Sequence, residues 1–207
     1  MPPNTSDLKK KVLITAADLF YRKGIHNVGV NEIAATSEVA KMTLYKYFPS
    51  KDQLILEVMR YRSEEWQDWF KESINKREGT PIERLLAIFD VMEEWFSSPD
   101  FQKCPFSTTA AQLASINHPA LQYCIQPMTA SHSFLLKLSE EASIHNSQEF
   151  TQYALLLIGG CIMTANLQGK SAGIAALKSA RKATSTILLM ELKQSEISTA
   201  MHYSNIS

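Results

Sequence analysis

The stretch Val30–Leu54, VNEIAATSEVAKMTLYKYFPSKDQL, reads as two short helices joined by a tight turn, followed by the start of a third. In the first, near Val30 to Ser37, Ile33 and Ala34 take inward positions. In the second, near Lys41 to Phe48, Leu44 and Phe48 are spaced i, i+4, which puts both on one buried face. Lys41, Met42, Thr43, Tyr45, Lys46 and Tyr47 are left to cover the remaining surface. A short helix anchored by two apolar residues, with Lys, Thr and Tyr turned outward, suits a DNA major groove.

Upstream, Ser6 is placed to cap a helix running to about Lys23. Leu8, Val12, Ala16, Leu19 and Phe20 share one face of it, and Gly24 supplies the stop. Residues 1–5 read as a disordered start, with no apolar core of a signal peptide. Lys9, Lys10 and Lys11 lie near the start of this helix, where a phosphate contact and a solvated face are both open readings. Downstream, Ser50 and Gln53 have the spacing of a capping box for a helix from Lys51 to about Asn75. Its inward stripe is Leu54, Ile55, Val58, Met59, Arg62, Trp66, Trp69 and Phe70. At 1.5 Å rise per residue, ~25 residues make a lever of nearly ~40 Å.

Charge supports a division of labour. The whole chain of 207 residues balances 21 Lys and Arg against 21 Asp and Glu. Residues 1–62, however, carry ten basic and six acidic side chains, and residues 63–207 carry eleven and fifteen. A basic first third fits phosphate contacts, and an acidic remainder is repelled by DNA.

The stretch Thr43–Leu54, TLYKYFPSKDQL, resembles the most recognisable segment of TetR-type (tetracycline-repressor-like) transcriptional regulators. The resemblance is specific over roughly residues 8–60 and extends more loosely, as a pattern of helices, over the rest. Three positions depart from the family pattern. Glu38 stands where a turn glycine is common, so the turn must close without glycine's freedom at φ > 0. Ala40 replaces a frequent Ser, which removes a side-chain N-cap worth ~1 kcal/mol, and Gly29 stands where Ser or Thr often caps. The resemblance implies that Thr43, Tyr45, Tyr47 and Lys51 contact DNA, mainly phosphates. It places Lys41 and Met42 best for base edges, with Lys46 on the same basic face.

Helix signals continue to the end of the chain. Thr80-Pro81-Ile82-Glu83 supplies N-cap, N1 proline and N3 glutamate for a helix to about Phe96. Leu85, Phe89, Met92 and Phe96 turn inward on it. Cys104-Pro105 opens a short helix to about Ser115, and Asn117-His118-Pro119 opens another to about Ser143, kinked or ended early by Pro127. Asn146 with Glu149 starts a helix to about Lys170. Gly173 precedes the last one, which ends near Gln194 before a polar, frayed tail. No stretch alternates with period two, so no strand is expected. The expectation is an all-α chain of about nine helices. Residues 1–50 form a DNA-binding helix-turn-helix domain, and 51–207 an effector-binding and dimerisation domain.

KCPFSTTAAQL followed by NHPA resembles one subgroup of the same regulators, and the last two helices resemble their dimerisation pair. The residues agree. Gly159, Gly160, Ala165, Ala172, Ala175, Ala176, Ala180 and Ala183 let helices approach closely. Leu156, Ile162, Met163, Leu177, Ile187 and Leu188 supply burial for a four-helix interface between two copies. Ordinary packing within one chain is the alternative. Large side chains between the helices either pack a core or line an apolar pocket for a small ligand. Trp66, Phe70, Phe89, Met92, Phe96, Tyr123 and His132 are the pocket candidates, with Gln112 and Asn166 as possible polar contacts.

No catalytic signature stands in the context its chemistry needs. There is no HExxH or GxGxxG; Gly169-Lys170-Ser171-Ala172-Gly173 spells GxSxG and GK[ST] only as short strings, with no strand expected before it and Thr164 where a phosphate loop needs glycine. The adjacent carboxylates Glu93-Glu94 and Glu140-Glu141 point about 100° apart on a helix, so they make no dyad. Cys104, Cys124 and Cys161 are too widely spaced for a disulfide framework or a zinc site. The longest apolar run, Ala154 to Met163, falls short of the ~20 residues that span a bilayer. The reading is therefore a cytoplasmic, homodimeric regulator with no cofactor and no metal. The resemblance implies that it binds an operator in double-stranded DNA and is released by a small, apolar or aromatic effector, most often as a repressor. A dimeric helical ligand-binding protein without a regulatory role is the alternative, separated by competition against random DNA.

Overall fold

Ser147–Gln168 shows how the helices arise: Asn146 Oδ1 accepts the Glu149 N–H at 3.3 Å, and Asn146 Nδ2 donates to Glu149 Oε2 at 2.8 Å. Starts of this kind, followed by apolar positions three and four apart, recur along the chain. In a computed structural model, which describes the backbone of residues 5–113 and 117–204 and the side chains of 7–113 and 117–194, the result is entirely helical. Nine helices occupy the described residues, and no strand lies among them. They are α1 Thr5–Lys23, α2 Val30–Ser37, α3 Lys41–Tyr47, α4 Lys51–Asn75, α5 Pro81–Ser97, α6 Pro105–Gln112, α7 Leu121–Glu141, α8 Ser147–Gln168 and α9 Lys170–Ser204.

The chain divides into two compact units: Met1–Gln67 with Pro105–Pro127, and Asp68–Cys104 with Met128–Ser207. The division expected at residue 50 follows the DNA-reading module, whereas the compact units divide inside α4 and α7.

In the first unit, Val12, Ala16 and Phe20 of α1, Ile33 of α2, Leu44 of α3, Phe48, and Leu54, Ile55 and Val58 of α4 are all buried. Gly24 ends α1 at φ +83°, with its N–H donating to Phe20 O at 2.9 Å. Ser50 Oγ accepts the Gln53 N–H at 3.0 Å and so caps α4. The reciprocal half of the expected capping box is not what Gln53 makes; its Nε2 turns to Glu57 Oε1 at 3.4 Å.

In the second unit, Thr80 and Glu83 form the complete capping box, with Pro81 opening α5. Leu85, Ile88, Phe89, Met92 and Phe96 bury one face of α5. Ser139 of α7 donates to Leu135 O at 2.9 Å, so in its 3.1 Å bond with Thr151 of α8 the threonine hydroxyl donates. Arg181 of α9 pairs with Asp90 of α5.

Several expected boundaries move. The helix after Asn117 begins only at Leu121: 118–120 form a turn in which the Ala120 N–H donates to His118 Nδ1 at 3.1 Å. Pro127 does not end it, and α7 continues to Glu141. Gly169, at φ +92°, separates α8 from α9, so Gly173 lies inside α9 rather than before it. The last helix passes the expected end at Gln194 and reaches Ser204. Ser6 lies within α1 rather than at its cap, and its side chain falls outside the described residues, as do residues 1–4 and the expected α6 end at Ser115.

Candidate nucleic-acid interface

α3 presents its surface as the pattern requires. Leu44 and Phe48 are each 1% exposed and fix the helix to the core, while Met42 is 85% exposed. Lys41, Tyr45 and Lys46 are exposed, and Thr43, Tyr47 and Lys51 are half-buried at the edge of the same region. Lys41 Nζ lies 6.0 Å from the centre of the Tyr45 ring, one helical turn on, which holds the ammonium over an aromatic face. Ala40 gives α3 no side-chain cap, and the helix closes through Leu44 N–H to Ala40 O at 3.0 Å.

Glu38 shows how the turn closes without glycine. It sits at φ +55°, ψ +32°, a left-handed conformation that costs an L-residue about 1–2 kcal/mol. The backbone answers with Glu38 N–H to Ala35 O and Val39 N–H to Ala34 O, both at 3.1 Å. Its carboxylate accepts from Lys11 Nζ at 2.7 Å. That hydrogen bond first, and the lysine charge second, hold the exposed Glu38 carboxyl below the usual carboxylate range. Lys11 is therefore engaged by the turn, and Lys23 likewise pairs with Glu32 of α2 at 2.5 Å. Lys9 Nζ lies 5.7 Å from the Phe48 ring centre.

A second tie to the head comes from a position that the sequence offers only as a possible polar contact in a ligand pocket. Gln112, the last residue of α6, accepts the Ile25 N–H on Oε1 at 2.8 Å and donates from Nε2 to Thr108 O at 3.0 Å. His26 Nε2 meets the Gln112 main-chain carbonyl. Its partners lie 86 and 87 residues away in sequence, so no local signal announces it. Asn166 also serves the backbone, its Oδ1 accepting the Cys104 N–H at 2.7 Å.

The pocket candidates separate. Trp66 and Tyr123 belong to the first unit and are half-buried; Trp66 meets Phe106 edge to face at 6.1 Å. Phe70, Phe89, Met92 and Phe96 belong to the second unit and are at most 2% exposed, the last three on one face of α5. His132, half-buried, has Nε2 3.4 Å from Gln148 Nε2 on α8.

The dimerisation candidates also separate. Leu156, Gly160 and Met163 lie on the exposed side of α8, where Leu156 and Leu167 are 74% and 76% exposed. Leu177 and Ala180 were expected to join them. They are instead 1% and 5% exposed, buried within their own chain and unavailable to a second copy. Ile187 is half-buried, and the exposed apolar residues of α9 are Leu189 and Met190.

A buried three-helix core with an outward Lys, Tyr and Met surface on its third helix defines a helix-turn-helix DNA-binding protein. Residues 12–58 match the model of bacterial regulatory proteins of the tetR family. The chain is 25% identical over 170 residues to the uncharacterized HTH-type transcriptional regulator YxaF of Bacillus subtilis, covering 80% of this chain and 88% of that one. It is 38% identical over 69 residues to the HTH-type transcriptional regulator QacR of Staphylococcus aureus, covering 33% of this chain and 37% of QacR. The crystal structure of SCO4454, a TetR-family regulator from Streptomyces coelicolor, superimposes with a TM-score of 0.75 at 20% identity, over 87% of this chain and 97% of that one. Residues 12–58 thus carry a tetR-type DNA-binding segment, and the chain is a DNA-binding transcriptional regulator.

Proposed function

We propose that this regulator is a cytoplasmic homodimeric repressor that leaves its operator when a small apolar or aromatic molecule binds the helical body. The observation that carries the DNA half of this reading is α3, with Leu44 and Phe48 buried and Met42, Lys41, Tyr45 and Lys46 turned out. Lys41 and Met42 face base edges. Thr43, Tyr45, Lys46, Tyr47 and Lys51 hold phosphates, which position the helix without reading sequence. Dimerisation is supported by α8. Phe150, Ala154, Ile158, Cys161 and Ala165 are buried on one side, while Leu156, Met163 and Leu167 stay exposed on the other. By length and composition alone α8 is apolar enough to cross a membrane. A helix already packed on one side satisfies its other apolar side equally well with a second copy.

The effector half rests on family likeness and on the large apolar side chains Phe70, Phe89, Met92 and Phe96 of the second unit. α4 is one continuous helix of 25 residues from Lys51, beside α3, to beyond Trp66, Trp69 and Phe70. A ligand against Trp66 tilts that helix, and a small tilt displaces α3 from its half-site. The test is a footprint on promoter DNA adjoining the gene, with and without a panel of apolar aromatic compounds. The expected footprint spans two half-sites and is lost with effector, and Trp66→Ala keeps the footprint while changing the effector response. Equal affinity for random duplex would favour a ligand-binding protein without regulatory role. Loss of the ligand-free footprint in Trp66→Ala, with the response retained, would make α4 a support and not the lever.

A further inference from the structure

The geometry points to Gln112 as a positioning residue for DNA binding: from the end of α6 it holds the α1–α2 loop, and through that loop sets how α2 and α3 are presented. This rests on α3 being the helix that reads DNA. The loop, residues 24–29, has two apolar anchors, Ile25 at 3% and Val28 at 0% exposure, so its backbone runs beside the core. An amide there needs a protein acceptor, because water reaches it poorly. Ile25 N–H finds that acceptor in Gln112 Oε1 at 2.8 Å. The other end of the same carboxamide is pinned to Thr108 O at 3.0 Å, one turn back along α6, so the acceptor cannot rotate away cheaply. His26 closes the arrangement by meeting the Gln112 carbonyl, one of the terminal carbonyls that α6 cannot satisfy internally.

Gly24 belongs to the same device. A Cβ on Gly24 would lie 2.8 Å from Gln112 Oε1, so the α1 stop and the glutamine occupy adjoining space. The consequence is directional. If the last turn of α6 unwinds or shifts, Ile25 N–H loses its acceptor and the loop loses its stop against α6. The spacing of α1 to α2, and with it the pose of α3, then relaxes. The rest of the turn region is tied internally, by Lys11 to Glu38 and Lys23 to Glu32. Gln112 is thus a tie from outside the helix-turn-helix that bonds directly to its backbone. Its bonds are side chain to main chain, so they sense the position of α6 and not the identity of a neighbouring side chain.

The experiment compares full-length wild type, Gln112→Met and Gln112→Glu. Methionine keeps the shape and removes the acceptor; glutamate keeps an acceptor at the same reach. The DNA probe is a duplex selected by the wild-type protein from a random library. The readouts are amide hydrogen exchange at Ile25 and affinity for that duplex, with thermal unfolding as the check on folding. Gln112→Met should exchange Ile25 about tenfold faster and bind the duplex about tenfold more weakly, the size of one buried hydrogen bond removed. Gln112→Glu should restore part of both, because the acceptor for Ile25 N–H returns while the anchor to Thr108 O is lost. Unchanged Ile25 exchange in Gln112→Met, or faster exchange with unchanged affinity, would overturn the assignment. Equal losses in both variants would reduce Gln112 to a packing residue. A wild type that selects no duplex overturns the DNA reading itself, a separate failure.

Discussion

Lysines in the head are not equivalent. Lys11 and Lys23 are held by Glu38 and Glu32, whereas Lys41, Lys46 and Lys51 are the lysines on α3 and at the start of α4. Lys41 lies over the Tyr45 ring and is aimed. Lys46 is exposed on the helix and Lys51 half-buried at the start of α4. If both hold phosphates, each neutralisation removes about one counterion release per protomer. Lys46→Gln and Lys51→Gln should therefore weaken binding to all duplexes about equally. Each should also flatten the slope of log affinity against log salt by about one for every phosphate left without its lysine. Slopes equal to wild type in both variants would assign the phosphates to other side chains. Glu38 is the opposite case: a residue that adopts φ +55° against its own preference, with a lysine on its carboxylate. The sequence showed that glycine was missing from the turn, but not that Lys11, 27 residues earlier, would steady its replacement.

Among the elements, Gly173 marks where local reading ends. A glycine ahead of an Ala-rich run reads as a helix start. The reason for it is tertiary: a Cβ there would lie 2.5 Å from Ala165 Cβ and 3.0 Å from Phe96 Cε2. α5, α8 and α9 meet at that point, and only a hydrogen fits between them. Gly173→Ala should gain up to ~1 kcal/mol of helix propensity. It should lose about 1–3 kcal/mol to overpacking. The net expectation is a lower Tm in thermal unfolding; a raised Tm would mean that the three helices separate freely. The helix starts at Thr80 and Asn146 were legible because a cap and its glutamate lie three residues apart. The inward face of α5 was legible because large apolar residues repeat there at helical spacing. α9 was not: small and apolar residues surround it, so composition could not show that Leu177 and Ala180 turn inward while Leu189 and Met190 turn out. Gln112 was illegible for a different reason, since a hydrogen bond across 87 residues leaves no pattern near either partner.

For the whole molecule, pairing of two copies, as proposed, is what would convert a seven-residue helix into a selective reader. A single α3 offers too few base contacts for specific affinity, whereas two heads held together read half-sites about 34 Å apart, one helical turn. The exposed line Leu156, Gly160, Met163 and Leu167 follows one side of α8 at spacings of four, three and four residues. Among the described residues, and apart from its own helix backbone, nothing lies within 4 Å of a Cβ added to Gly160, in contrast to Gly173. Gly160→Leu is therefore harmless to the isolated fold and gains helix propensity, up to ~1 kcal/mol. It becomes costly only if another backbone approaches that position. The expected result is a chain of unchanged helicity that sediments as a monomer at micromolar concentration. Its affinity for the two-half-site duplex should fall by about 10²-fold or more, because the second head no longer binds as an intramolecular event. A Gly160→Leu protein that stays dimeric with full DNA affinity would place the two-fold interface away from this side of α8, and the exposed line from Leu156 to Leu167 would need another occupant.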